Sequence, residues 1–226
     1  MRYLILVAAL AALSAPIAAR AQQAGPAPAA ADPITVGLTV GTLGVGLEGG
    51  WRPLDYLGFR LGARAIAFDY HRSINGIPYN FGANLSSGGP ILDVYPFGGG
   101  FRLSFGVNIN GNNADVTATP STAVHIGSTT YTPAEIGTLT GKTDYDRVAP
   151  YLGIGYAGRV SDSFVLAVDA GVFYQGQPRV SLAASGPLAG SAQLQSDLAQ
   201  ESRSIRSKID WTAWYPAVQL SALFRF

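Results

Sequence analysis

Phe101-Arg102-Leu103-Ser104-Phe105-Gly106-Val107-Asn108-Ile109-Asn110 alternates without a fault. Phe101, Leu103, Phe105, Val107 and Ile109 fall on one side of an extended chain, and Arg102, Ser104, Gly106, Asn108 and Asn110 on the other. Successive strand side chains point to opposite faces, so this is a β-strand with one wholly apolar and one wholly polar face. A soluble sandwich also alternates, but it has no use for aromatics at both strand ends or for a buried polar face. A transmembrane barrel needs both: the apolar face meets lipid and the polar face lines the lumen.

The pattern recurs downstream. Phe164, Leu166, Val168, Ala170, Val172 and Tyr174 oppose Ala167, Asp169, Gly171 and Gln175. At the C-terminus Val218, Leu220, Ala222, Phe224 and Phe226 share one face. A terminal phenylalanine closing such a strand is the kind of signal that barrel-assembly machinery reads, and Leu220, Phe224 and Phe226 are its candidates here. The rest of the chain threads into strands near 34–41, 44–51, 57–71, 77–95, 100–117, 147–160, 163–183 and 211–226. The fold expected is all-β: a transmembrane antiparallel up-and-down barrel of about eight strands, occupying 33–226. Short periplasmic turns fall at Arg52–Tyr56, Pro96–Gly100 and Ser161–Ser163. Long extracellular loops fall at Ala118–Asp146 and Ala184–Asp210, and Ser191–Lys208, lacking glycine and proline, is expected to be partly helical. Outward parity slips between Leu85 and Leu92, which places a β-bulge at Ser87-Gly88-Gly89-Pro90.

Composition agrees. Among 226 residues 48% are hydrophobic and only 13% charged, about half the charged fraction of an ordinary soluble domain. Beyond the leader, no apolar run approaches the roughly 18 residues a spanning helix requires. That leaves the closed barrel, whose backbone bonds are all made between strands. There is no cysteine, which excludes disulfides and thiol chemistry and suits passage through an oxidising periplasm. Met1 and Arg2, the apolar run Tyr3–Leu13 and the Ala19-Arg20-Ala21 site form a signal peptide over 1–21, cut short as an anchor by Ser14 and Pro16. Residues 22–32, rich in alanine and proline, read as a periplasmic N-terminal segment. Losing the leader removes two arginines and no acid, leaving 13 basic against 14 acidic residues. So nearly neutral a chain gives no argument for a nucleic-acid partner. The location expected is the outer membrane, with the lipid bilayer and lipopolysaccharide as surroundings.

Inward parity puts Glu48, Arg60, Arg64, Asp93, Arg102 and Asp169 in the lumen, three acids against three bases. An eight-stranded barrel is just wide enough for side chains to fill, and a buried charge left unpaired costs several kcal/mol. These six either form a salt-bridged plug or border a thin path for small polar solutes; the residues themselves leave both readings open. Trp51, Tyr56, Tyr95, Tyr151, Trp211 and Trp214 lie near strand ends and read as interfacial girdles. No cofactor or metal is expected: His71 and His125 are far apart and lack partners at ligand spacing. His71-Arg72-Ser73 has the H-x-S spacing of lipid A deacylases, but no acid is set to orient the imidazole, so no enzyme is expected.

Ala149-Pro150-Tyr151-Leu152-Gly153-Ile154-Gly155-Tyr156-Ala157, followed by Asp169-Ala170-Gly171-Val172-Phe173-Tyr174-Gln175-Gly176-Gln177-Pro178-Arg179-Val180, resembles the CarO-type outer-membrane proteins. The shared pattern is a PYLGxG strand, a short turn and a strand ending in a YxGxP(K/R)V corner. Val94-Tyr95-Pro96-Phe97-Gly98, Ser202 to Trp211 and Trp214-Tyr215-Pro216-Ala217-Val218 also match in order. The resemblance implies an eight-stranded barrel and uptake of small basic amino acids such as ornithine and of carbapenem-like zwitterions. The chain departs from that family in loop 118–146 and in its charge-balanced lumen. Oligomeric state is left open.

Overall fold

The computed structural model describes residues 34–74 and 77–226. The leader and the 22–32 segment lie outside the described residues.

Thirteen strands form among the described residues, rather than about eight: β1 (Ile34–Gly41), β2 (Gly44–Leu54), β3 (Leu57–Ile74), β4 (Ile77–Val94), β5 (Phe101–Asn110), β6 (Asn113–Ala118), β7 (Val124–Ile126), β8 (Thr129–Tyr131), β9 (Leu139–Asp144), β10 (Val148–Ser161), β11 (Phe164–Tyr174), β12 (Arg179–Ala184) and β13 (Trp214–Arg225). Two helices, α1 (Pro133–Ile136) and α2 (Ala192–Ile209), and a 3₁₀ turn over Asp210–Ala213 accompany them. All pairings are antiparallel. The ladders run β1–β2–β3–β4–β5–β10–β11–β13 and back to β1, so eight of the strands make a ring. Partners followed once around return about ten residues displaced, which tilts the strands about 40° from the barrel axis.

The extra strands arise because the wall continues past the ring on one side only. β4 passes from β5 to β6, which pairs with β9, and β9 with β12. β6 keeps the register of β5, and β9 that of β10; the first break interrupts what the periodicity reads as one strand, 100–117, while β9 lies in the stretch read as loop. The sheet is thus closed at the turn end and one-sided at the loop end. The bulge at Ser87–Pro90 is absent: the β3–β4 register runs unshifted from Leu57↔Val94 to Ile74↔Ile77. Leu85 lies inward, on the same face as Ser87. It carries a large apolar side chain there because β4 has already left the ring for the extension.

The inter-strand turns at one end are short: Asp55–Tyr56, the 95–100 turn and Asp162–Ser163. At the other end the stretch read as loop 118–146 contains the β7–β8 hairpin, α1 and β9. The stretch 184–210 contains α2, where a helix was expected. The Ser191 hydroxyl caps α2 by accepting from the Leu194 amide at 3.3 Å, satisfying one of its free N–H groups. Hairpin and helices cover the inner face of the extension through Ile126, Tyr131, Ile136, Leu194 and Leu198, packed on Leu139 and Leu182. Asp197, buried in this cap, accepts the Tyr131 hydroxyl at 2.7 Å, and from Ser128 and Gln193 at 3.2 Å. The Tyr131 hydroxyl is the main reason its carboxyl titrates well below the ordinary range.

The outside of the ring is apolar. Leu38, Leu47, Leu61, Ile109 and Val148 are each more than 60% exposed, an arrangement that water penalises at about 25 cal/mol per Å² and hydrocarbon does not. The terminal strand's Leu220, Phe224 and Phe226 lie on this exterior.

Candidate functional site

Strand parity turns six charged side chains into one layer across the lumen. Glu48 comes from β2, Arg60 and Arg64 from β3, Asp93 from β4, Arg102 from β5 and Asp169 from β11. None of these side chains is more than 5% exposed. Arg60 occupies the centre. It donates to Asp93 through Nε (2.5 Å) and Nη2 (2.9 Å), to Glu48 at 3.3 Å, and to Asp169 at 3.3 and 3.4 Å. Arg102 grips Asp169 with Nε at 3.0 Å and Nη2 at 2.7 Å, the planar fork that suits a carboxylate. Arg64 reaches Glu48 at 2.7 Å. Ser104, absent from the sequence-based set, donates to Asp93 at 2.6 Å and accepts from Arg60 at 3.1 Å. Its parity beside Arg102 was the signal that could have found it. Gly155 faces the layer because a Cβ there would lie 2.2 Å from Asp169 Oδ1.

Above the charges, toward the loops, lies an apolar layer of Leu43, Ile91, Ala149, Tyr151, Phe173 and Ala217, with the Tyr151 and Phe173 rings 4.8 Å apart. Amides follow. Asn112 and Asn110 donate to Gln175 Oε1 at 2.9 and 3.3 Å, and Gln175 donates to the Thr212 carbonyl at 2.9 Å. A 10 Å³ cavity sits beneath them, lined by Ser87, Asn108 and Phe173 among others. Over them a 400 Å³ vestibule opens to solvent between Asn110, Asn112, Asn113, Asp144, Arg147 and Arg179. Arg179 is paired with Asp146 there.

Of the six aromatics read as girdles, Trp51, Tyr56, Trp211 and Trp214 are exposed, the first two near the turn end and the others near the loop end. Tyr95 and Tyr151 are corrections: each is 6% exposed and points inward. Both share parity with inward residues, Tyr95 with Asp93 and Tyr151 with Gly153, and parity outweighs nearness to a strand end. Tyr95 closes the turn end beneath Arg52, whose guanidinium carbon is 3.7 Å from the ring centroid. Arg52 also donates to the Gly98 and Gly99 carbonyls at 2.8 and 3.1 Å. His71 is exposed on β3 and His125 on the β7–β8 hairpin, on separate elements. Among the described residues no group of three or more His, Cys, Asp or Glu is placed to hold a metal ion.

An apolar-skinned antiparallel barrel with a charged interior defines the class: a β-barrel of the outer-membrane type. Within it, the fold is that of CarO. Acinetobacter baumannii CarO2 superposes with a TM-score of 0.60 at 24% identity, covering 86% of this chain and 98% of that one. A. baumannii CarO does so with a TM-score of 0.59 at 23% identity over the same shares. A major outer membrane protein from Thermus thermophilus aligns more loosely, at a TM-score of 0.40 and 15% identity. No family model and no curated relative matches the chain.

Proposed function

We propose that this protein is an outer-membrane barrel of the CarO type, exported by its signal peptide, that admits small polar solutes through a lumen closed at rest. The observation that carries the reading is the charged layer. Apolar side chains would fill so narrow a barrel at least as stably as buried ion pairs do. A barrel built only for rigidity gains nothing from six lumenal charges. Arg60 is shared among three carboxylates, so one contact can be exchanged for another without leaving a charge bare. The layer carries three acids and three bases. That balance favours net-neutral zwitterions, including amino acids and carbapenem-like compounds, over cations such as ornithine. The vestibule is the point of entry, and the bilayer, lipopolysaccharide and assembly machinery are the partners of such a protein.

Burial of all six charged side chains in the lumen favours a second reading, a structural or adhesive barrel that displays its loop-end sheet and cap to ligands. Liposome swelling separates the two. With refolded mature protein, glycine and ornithine are compared with glutamate and a neutral sugar of similar size. Swelling with zwitterions above empty liposomes is expected. No swelling with any solute, from protein folded by heat-modifiable gel mobility, refutes the uptake reading in favour of the second.

A further inference from the structure

Buried polar groups nearly always find partners, and those without one call for a reason. Eight buried side-chain atoms among the described residues have none: Thr39 Oγ1, Arg64 Nε and Nη1, Ser87 Oγ, both amide atoms of Asn108, Ser221 Oγ and Arg225 Nε. They are not scattered. Ser221 pairs in register with Thr39, Thr39 with Gly46, Gly46 with Arg64, Arg64 with Ser87, and Ser87 with Asn110. Five of the eight atoms thus lie on one ladder row crossing β13, β1, β2, β3 and β4. Because the strands tilt, that row is a ramp around the wall. Its upper end is Asn110, which lines both the vestibule and the small cavity. Asn108, one inward position below Asn110, faces the same cavity as Ser87. At its lower end the inner face of β1 continues from Thr39 through Gly37 to Thr35, whose register partner is Arg225, holder of the eighth atom. The charged layer shares β2, β3 and β4 with the row, where Glu48, Arg60 and Asp93 lie below it toward the turn end, and continues through Arg102 of β5 and Asp169 of β11.

We propose that this row is the passage: a hydrated track for a small carboxylate-bearing solute, running along the β4–β3–β2–β1–β13 wall beside the salt-bridged layer rather than through it. The inference rests on the uptake reading and names its route. Hydroxyls, an amide and the free N–H groups of Arg64 replace the solute's water as it descends. Gly46 and Gly37 contribute no side chain to obstruct it. Arg64 alone joins track and layer, through its remaining bond to Glu48.

The chain contains no cysteine, so single cysteines report access directly. Thr39→Cys, Ser221→Cys and Ser87→Cys probe the row. Ser104→Cys, in the charged layer, and Ala217→Cys, in the apolar layer, are equally buried inward positions off it. Each refolded barrel is treated with 2-aminoethyl and 2-sulfonatoethyl methanethiosulfonate. Row cysteines are expected to react at least about tenfold faster than the controls, since exposure sets thiol reactivity. Labelled Thr39→Cys is expected to lose zwitterion-driven swelling. Row cysteines no more reactive than Ser104→Cys, in barrels that are folded by gel mobility, overturn the track. Unlabelled wild type that fails to swell overturns the uptake reading instead, whatever the labelling shows.

Discussion

Replacing Asp169 by asparagine tests whether the lumenal charges act as one unit. The side chain keeps its shape but loses its charge. In the native barrel Asp169 accepts two short bonds from Arg102, at 3.0 and 2.7 Å, and two longer ones from Arg60, at 3.3 and 3.4 Å. An amide presents one acceptor and turns its NH₂ toward a guanidinium, so at least one bond of the fork is lost. The layer then carries three bases against two acids. The one carboxylate left within ion-pair reach of Arg102 is Asp93, at 3.9 Å. Hydrogen bonds to charged groups contribute about 1.5–3 kcal/mol each, and stripping the partner from a buried ion costs about 3–5 kcal/mol. Asp169→Asn is therefore expected to lower unfolding free energy by about 4 kcal/mol. The assay is urea unfolding from phospholipid vesicles, followed by the fluorescence of Trp51, Trp211 and Trp214. Adding Arg102→Met removes the bare charge and is expected to restore most of the loss. A single variant within about 1 kcal/mol of wild type, or a double variant as weak as the sum of its singles, refutes the reasoning.

Three further outcomes are expected. Tyr151→Ala opens the apolar layer above the charges; it should cost about 3–5 kcal/mol and raise the swelling rate, and an unchanged rate would show that this layer is no barrier. Asp197 titrates below its unfolded value, so the cap's stability is full above about pH 4. It declines as pH falls further, toward the folded value. Protection factors of the β7–β8 hairpin amides, normalised to intrinsic exchange at each pH, should therefore fall between about pH 4 and pH 2, and in Asp197→Asn they should be low and flat across that range. Phe226→Ala removes an exterior ring that meets Phe224 edge-on at 5.1 Å. It should leave the refolded barrel's thermal stability nearly unchanged while lowering the fraction assembled in cells, read by heat-modifiable mobility.

Period two made the ring legible because one rule governs all eight of its strands: lipid outside, polar lumen inside. The same rule located the charged layer, since Glu48, Arg60, Arg64, Asp93, Arg102 and Asp169 are inward by parity alone. It misled where the chain left the ring. Leu85 looked like a register slip because an inward leucine makes no sense in a polar lumen. It makes sense in an extension whose inner face is partly covered by a cap. Residues 139–144 looked like loop because LTGKTD has no apolar alternation; β6 and β12 on either side hold it as a strand. Tyr95 and Tyr151 were judged by nearness to strand ends, a weaker cue than their own parity. Hydrogen-bond satisfaction was invisible, for it depends on which inward groups the tilted ladder brings side by side.

That tilt also explains how a plugged barrel and a conducting one can be the same object. The charged side chains come from strands β2 to β5 and from β11, long enough to meet across the axis. The inward positions of β1 and β13 are uncharged and, Gln219 and Leu223 apart, shorter: Thr35, Gly37, Thr39 and Gly41 on one, Ala217 and Ser221 on the other. Ion pairs fill one sector and leave the β1–β13 sector to small neutral groups, several of them without protein partners. A guanidinium shared by three carboxylates need not dissociate for a solute to pass beside it; a small displacement of Arg64, which has one bond to lose, suffices. On the uptake reading, the layer then sets the charge that a passing solute feels, and the neutral wall sets its size.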